Sequence, residues 1–192
     1  MARKIENWID KKMPDPRKVC EALAAFSDRE MTIVACAFLD ALLADLIASS
    51  LRDDQKEVEE FVGMSGDGRA PLGTLGSRIQ AAYLLRLIDR PQRDVLRLLK
   101  DIRNLFSHHV SVSFGDERVV GRAKKIYEIY RDTSPRQRRN RVYTSAEDFK
   151  ASIEQKGFGA EVCSGLYVGA ASLEMKRLHE SCRRRLARRR NA

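Results

Sequence analysis

The segment SDREMTIVACAFLDALLADLIASSL, Ser27–Leu51, decides the fold of this chain. Its first residues form a capping-box pattern, in which the Ser27 hydroxyl accepts a hydrogen bond from the Glu30 amide and the Glu30 carboxylate accepts one from the Ser27 amide. Apolar residues then recur at helical spacing, at positions 31, 34, 35, 38, 42 and 46. The segment therefore predicts a long helix from Asp28 to Leu51 with one buried stripe.

Two further core helices are predicted after this one. The stretch RDDQKEVEEFVGM indicates a short polar helix, and the glycine- and proline-containing stretch SGDGRAPLGTLG indicates a loop. Apolar periodicity then predicts one helix from Thr74 to Ile88 and another from Pro91 to Ser107. Asp89 and Pro91 favour a helix start, because proline at the first helical position has no amide that needs a partner.

The remaining elements are shorter. Asp15 and Pro16 predict the start of a helix that ends near Phe26, and VSVSFGDERVV predicts an extended segment or hairpin. Further helices are expected over Arg122–Tyr130, over 146–155 and in the last part of the chain. We expect an all-α protein with one helical bundle in residues 1–175 and an arginine-rich helix or basic C-terminal tail in 176–192.

The positive charge is concentrated near the C-terminus. The formal net charge is +9, and six of the nine charges come from RRRLARRR, so the rest of the chain carries only +3. A second basic stretch, RQRRNR, lies in the polar segment after Tyr130. These two clusters predict phosphate contacts with DNA or RNA, with a solvated terminus as the alternative. The candidate nucleic-acid-binding residues are Arg136, Arg138, Arg139, Arg141, Arg183, Arg184, Arg185, Arg188, Arg189 and Arg190.

The cysteines and the apolar segments indicate a cytoplasmic protein. The four cysteines, at positions 20, 36, 163 and 182, form no CxxC pair and have no histidine at ligand spacing, so neither a disulfide framework nor a metal site is expected. The N-terminus lacks an apolar export signal, and Asp40 and Asp45 interrupt the apolar run from Thr32 to Ser50. We expect no membrane span, and we interpret these two carboxylates as exposed or helix-pairing charges.

The stretch LLKDIRNLFSHHV, Leu98–Val110, carries the candidate site. On a helical wheel Val95, Leu98, Leu99, Ile102, Leu105 and Phe106 form the buried stripe. His108 falls on the opposite polar ridge with Asn104, whereas Arg103 lies between the ridge and the stripe. A neutral imidazole can give or take a proton near pH 7, so His108 is the candidate general acid or base. His109 is expected to pack or to cap the helix.

Several blocks of the sequence resemble the mannitol operon repressor (MltR/MtlR) family. They are SDREMTIVACAFLDALLADLI, PLGTLGSRIQAAYLLRLID, LKDIRNLFSHH and VSFGDERV, in the order of the family, and they cover roughly Arg17 to Tyr130. The resemblance implies an all-helical regulator of transcription without a recognised helix-turn-helix. The family's IRNxFAH block is present with Ser107 in place of alanine, and the basic segment PRQRRNRVYTS departs from the family pattern.

The same block is similar to the R-polar-x3-H signature of HEPN domains, helical bundles that often dimerise and, in many members, cleave RNA without metal. This resemblance implies that Arg103 would stabilise the phosphorane charge, that Asn104 would position the scissile group, and that His108 would shuttle a proton. The expected products are 2′,3′-cyclic phosphates.

Three functional interpretations follow. The first is a regulator that acts as a binding module, through nucleic acid or through a protein partner in transcription, and is expected to form a homodimer. The second is a metal-independent endoribonuclease that uses Arg103, Asn104 and His108. The third is structural: Arg103 pairs with a neighbouring carboxylate or caps carbonyls, and Asn104 and His108 end a helix. None of the three requires a cofactor.

Overall fold

Six helices form the part of the chain that the structure describes. The computed structural model describes residue 23 and residues 25–63, 69–132 and 156–190. The helices are α1 Asp28–Ala48, α2 Gln55–Val62, α3 Leu75–Leu84, α4 Arg90–His108, α5 Glu117–Asp132 and α6 Ala160–Arg190. No strand occurs among these residues, so the predicted all-α fold is confirmed. The helices expected near Asp15–Phe26 and over 146–155 fall mostly or wholly outside the described residues.

The helix starts follow the sequence closely. The capping box predicted at Ser27 is present, with the Ser27 amide 3.0 Å from the Glu30 carboxylate. Asp89 likewise caps α4 and accepts a 2.8 Å hydrogen bond from the Gln92 amide. These local side-chain contacts satisfy amides that the first helical turn leaves without a partner.

The end of α3 differs from the prediction. The helix stops at Leu84 rather than at Ile88, because Arg86 adopts a left-handed backbone conformation with φ 56°. The Arg86 amide donates to the Tyr83 carbonyl, and the Leu87 amide donates to the Ala82 carbonyl at 2.8 Å. This pair of hydrogen bonds is a Schellman motif, which usually has glycine at the left-handed position.

The predicted hairpin around Gly115 is wrong. Turns connect α4 to α5, and α5 begins at Glu117, five residues before the predicted start. The reason is local capping: the Asp116 carboxylate accepts from the Arg118 amide at 2.9 Å, and the Asp116 carbonyl accepts from Val119 and Val120. The alternation of polar and apolar residues reflects a loop whose Val112 and Phe114 side chains are buried.

Helix α1 lies at the centre of the bundle. It packs against α6, α4, α3 and α2, while α5 packs against α4 and α6. Phe106, Phe114 and Tyr167 form a row of aromatic rings in the core, with centroid distances of 5.0 and 5.6 Å. Helix α1 is long and apolar enough to cross a membrane, but 67% of its apolar window is buried inside the bundle, as expected of a core helix.

Arg78 joins three parts of the bundle. Its side chain is 7% exposed and forms an ion pair with Asp40 of α1 at 2.6 Å. The same guanidinium donates to the carbonyls of Leu72 at 2.8 Å, Val62 at 3.0 Å and Gly63 at 3.1 Å. Arg78 therefore holds the end of α2 and the loop before α3 against α1.

A second buried polar cluster connects α4, α5 and α6. Glu174 is fully buried and accepts hydrogen bonds from Gln92 at 3.1 Å, Tyr130 at 2.9 Å and Arg177 at 2.8 Å. Burial raises the pKa of the Glu174 carboxyl, and the positive charge of Arg177 opposes this effect. The cluster satisfies both carboxylate oxygens, as a buried carboxylate requires.

Helix α6 is a single element of 31 residues. It begins in the small-residue stretch GFGAEVCSGLYVGAAS and continues into the arginine-rich segment, so the predicted boundary between residues 175 and 176 lies inside a helix. Its buried residues lie on both sides of that boundary and include Tyr167, Ala171, Leu178, Cys182 and Leu186.

Candidate functional site

Helix α4 positions the predicted site as its wheel indicated. Val95, Leu99, Ile102 and Phe106 are buried, and Leu98 and Leu105 are half-buried against the same core. The helix ends at His108. The candidate residues therefore lie on the last two turns of a helix that is held in place by its apolar side.

Arg103 is directed toward buried groups of α1 and α6. Its side chain is half-buried, and its Nε atom is buried without a hydrogen-bond partner among the described residues. Burial raises the pKa of the Cys36 thiol and of the Tyr167 hydroxyl, and the positive charge of Arg103 opposes both effects. Cys36 Sγ lies 3.3 Å from the Tyr167 hydroxyl, and this hydroxyl donates to the Thr32 carbonyl at 3.1 Å.

Asn104, His108 and His109 have different environments. Asn104 is half-buried, whereas His108 is exposed as the last residue of α4. His109 is also exposed; it occupies the C-cap, where its backbone amide donates to the Leu105 carbonyl at 3.0 Å. His109 thus occupies the cap position through its backbone, and the exposure of its side chain contradicts the packing interpretation.

The loop after α4 is fixed to the first turn of α1. Arg29 donates to the carbonyls of His109 at 2.8 Å and Val110 at 3.1 Å. The side chain of Val110 is nevertheless 95% exposed. The two histidines are therefore presented at one end of the bundle, on a backbone that an arginine from another helix holds.

The ion pair that a structural role would give Arg103 is not found within the described ranges. The salt bridges there pair other arginines with carboxylates, among them Arg78 with Asp40 and Arg177 with Glu174. In the described part of the chain, no carboxylate lies within ion-pair distance of Arg103.

The basic segment at the C-terminus continues α6 as helix. Arg183, Arg184 and Arg188 are exposed, and Arg185 is half-buried. Arg184 lies 3.7 Å from the Glu180 carboxylate. We call these four arginines the basic end of α6. The backbone of Arg189 and Arg190 is helical, but their side chains lie outside the description. The other candidate arginines, Arg136, Arg138, Arg139 and Arg141, lie outside the described residues as well.

The interpretation of Asp40 and Asp45 was half right. Asp40 pairs α1 with α3 through Arg78, as expected of a helix-pairing charge. Asp45 is only 1% exposed, and neither carboxylate oxygen has a hydrogen-bond partner among the described residues. The wheel contained the signal, because Asp45 falls between Val34 and Phe38 on the buried stripe, whereas Asp40 falls on the opposite side.

A groove that no sequence pattern predicted lies between α4 and α5. Its volume is about 490 Å³, and its lining includes charged side chains of both signs and two apolar side chains. The lining residues are Asp94, Arg97, Leu98, Lys125, Glu128, Ile129 and Asp132. Within the described ranges no cluster of three or more His, Cys, Asp or Glu side chains could hold a metal ion. Cys36, Cys163 and Cys182 are free thiols, and Cys20 lies outside the description.

Comparison with known proteins identifies the fold. The chain is similar to a chain in the X-ray structure of the MtlR–HPr complex from Escherichia coli, with a TM-score of 0.59 and 21% sequence identity. The similarity covers 85% of this chain and 98% of that chain. No protein-family model matches the sequence, and no curated protein matches it. The chain thus has an MtlR-like fold, as the resemblance of its sequence blocks implied.

Proposed function

We propose that this protein is an MtlR-like regulator that acts by binding another protein. The observation that carries the proposal is the fold similarity along nearly the whole length of a chain that was solved as a complex with HPr. The four sequence blocks that resemble the MltR family support the same conclusion, because they fall on α1, α3, α4 and the start of α5. The regulated operon would be one for uptake of a sugar alcohol or another carbohydrate.

Binding to HPr tests this proposal directly. The full chain is titrated with the HPr protein of the same organism in a calorimeter, with an unrelated small protein of similar charge as control. We expect saturable binding to HPr and none to the control. Absence of heat and of co-elution at concentrations up to about 1 mM, where binding free energies fall to about 4 kcal/mol, would reject HPr as the partner.

Direct contact with nucleic acid is proposed for the basic end of α6. A triple variant, Arg183→Gln, Arg184→Gln and Arg188→Gln, removes three exposed charges there. A control that changes Arg52, Arg90 and Lys125 to glutamine removes three exposed charges elsewhere. We expect only the first variant to weaken DNA binding and to reduce the slope of log K against log salt by about 3. If the wild type retains no DNA even at low salt, regulation occurs through the protein partner alone.

A metal-independent ribonuclease is the second candidate function. It is favoured by the half-buried guanidinium of Arg103, which has no carboxylate partner within the described residues, and by the exposure of His108 at the helix end. The roles are those the sequence predicts: Arg103 stabilises the phosphorane, Asn104 positions the phosphate, and His108 transfers the proton. Arg103 faces α1 and α6 of its own chain, whereas His108 is exposed, so one chain as described does not bring the two side chains into one cleft. The ribonuclease therefore requires both that Arg103 turns outward and that a homodimer forms the cleft.

The neighbouring histidines supply a matched pair of variants for the ribonuclease. His108→Ala and His109→Ala both replace exposed side chains at the same helix end, so both are expected to fold. We expect cleavage of a mixed RNA pool in EDTA, with 2′,3′-cyclic phosphate products, by the wild type and by His109→Ala but not by His108→Ala. Intact RNA with the wild type, or equal cleavage by both variants, contradicts this function. Sedimentation of the full chain tests the homodimer.

A further inference from the structure

Asp45 has a buried carboxyl group with no hydrogen-bond partner among the described residues. It lies on α1, is 1% exposed, and neither oxygen has a partner among the described residues. Nearly all buried polar groups in folded proteins are hydrogen-bonded, and the fully buried Glu174 of this chain has three donors. The described residues therefore provide no hydrogen bond that would stabilise the ionised form of Asp45.

The charged groups around Asp45 come from two of the helices that pack against α1. Burial raises the pKa of the Asp45 carboxyl to about 7, and the positive charge of Arg78 on α3 opposes this effect. On α6, burial raises the pKa of the Cys182 thiol, Asp45 raises it further, and Arg185 lowers it. Helix α4 brings Arg103 to Cys36, which lies about 13 Å along α1 from Asp45. The charged side chains of α2 are exposed.

The last part of α6 packs against α1 close to Asp45. The Cys182 thiol donates to the Leu42 carbonyl at 3.8 Å, and Leu186, one turn further, is 5% exposed. Beyond these contacts only exposed or half-buried arginines and Ala187 follow in the described side chains. Asp45 therefore lies at the contact through which the basic end of α6 is attached to the bundle.

We propose that Asp45 makes the attachment of the basic end of α6 to α1 depend on pH. The neutral carboxyl group is tolerated in this apolar contact, whereas the ionised form meets no hydrogen-bond donor of the described residues that would replace the water it loses. The desolvation cost of the ionised carboxylate is removed when the end of α6 moves away and water reaches Asp45. This device goes beyond the proposed function, because it operates whichever partner the arginines contact.

The direction of the effect follows from proton linkage. The pKa of about 7 in the closed contact lies above the ordinary value of 3.8, so the closed contact binds the proton more tightly than the open one. Closure is therefore fully favoured below pH 3.8, weakens as the pH rises from 3.8 to about 7, and changes little above that. One proton is involved, so the opening constant rises about tenfold from pH 5 to 6, about fivefold from 6 to 7 and less than about twofold from 7 to 8.

Hydrogen exchange of the full chain between pH 5 and pH 8 tests the proposal. The readout is the protection of the amides of residues 178–188, corrected for the pH dependence of intrinsic exchange. It is measured in the wild type, in Asp45→Asn and in the control Asp53→Asn, whose carboxylate is exposed. We expect the wild type and Asp53→Asn to lose protection in the proportions given above, and Asp45→Asn to show none of this loss. Residues 95–106 of α4 serve as an internal reference that does not change.

Three results would overturn the proposal. They are equal loss of protection in the wild type and Asp45→Asn, no loss in the wild type, and an equal change in residues 95–106, which would place the effect on the whole fold. A titration of the Asp45 side-chain carbon by NMR in the wild type keeps the test valid if Asp45→Asn does not fold. A midpoint near 7 supports the proposal, and a midpoint near 4 contradicts it.

Discussion

Replacing Arg78 with alanine tests how much one buried side chain contributes to this fold. The change removes the 2.6 Å ion pair with Asp40 and three hydrogen bonds to the carbonyls of Leu72, Val62 and Gly63. Removing one partner of a buried pair typically costs about 3–5 kcal/mol, because the other charge stays buried. Asp40 is 30% exposed, so water lowers the cost of leaving its charge without a partner. The three carbonyls that lose a charged donor add to the total cost. We expect a loss of about 4 kcal/mol in the free energy of unfolding.

Chemical denaturation followed by circular dichroism at 222 nm measures this loss. For a chain of this size, about 4 kcal/mol corresponds to a decrease in melting temperature of about 8–16 °C. Asp40→Asn is the comparison: it removes the ion pair but leaves Arg78 its three carbonyls, so we expect about 1–2 kcal/mol. Arg78→Lys keeps the charge but not the fork of donors, and it should lie between the two.

The reasoning has two clear points of failure. A loss below about 1 kcal/mol in Arg78→Ala would mean that water replaces the guanidinium at little cost. An equal loss in Arg78→Ala and Asp40→Asn would mean that the three carbonyl contacts add nothing. Hydrogen exchange of α2 supplies a spatial check, because Arg78 binds the carbonyls at its C-terminal end. Loss of protection in α2 should exceed that in α5.

Two further variants test local features. Arg86→Gly should raise the free energy of unfolding by about 0.5–1 kcal/mol, because a left-handed residue with a Cβ costs about 1–2 kcal/mol and the greater entropy of glycine in the unfolded chain offsets part of the stabilisation. Arg86→Ala, measured in the same assay, should not raise the free energy of unfolding. An equal increase in the two variants would contradict the backbone explanation. Phe106→Ala should lower the free energy of unfolding by about 3–5 kcal/mol, because the fully buried ring packs 5.0 Å from Phe114. The exposed Phe61→Ala should change it by less than about 1 kcal/mol in the same denaturation assay, and similar losses in the two variants would show that the ring row is not part of the stabilising core.

The elements that sequence reasoning predicted well combine a cap with a strong apolar period. Helices α1 and α4 begin at Ser27 and Asp89, where side chains complete a capping box that is visible as a pattern of residue types. The stripe of α4 is confirmed because leucine, isoleucine and phenylalanine recur there among charged residues. The candidate residues Arg103, Asn104 and His108 accordingly lie near the end of a helix, as the pattern predicted.

The elements that it missed depend on backbone conformation or on the tertiary environment. The end of α3 is set by a left-handed arginine, although glycine is the usual residue at such a position. The start of α6 is rich in Gly and Ala. Because their small side chains differ little in hydrophobicity between the buried and the exposed face, no helical period is visible in the sequence. The inward direction of Arg103 and the burial of Asp45 depend on the packing of α6 against α1, a contact between segments more than a hundred residues apart.

The continuity of α6 determines how the protein can be divided experimentally. A fragment that ends at residue 175, where the composition becomes basic, would lack Leu178, Cys182 and Leu186, which are all buried. Such a truncation would leave part of the apolar surface of α1 uncovered, and aggregation would follow from the missing core rather than from the missing charge. A fragment that ends at Ala187 keeps these side chains and removes only the last arginines. Deletion mapping of nucleic-acid binding should therefore start at that residue.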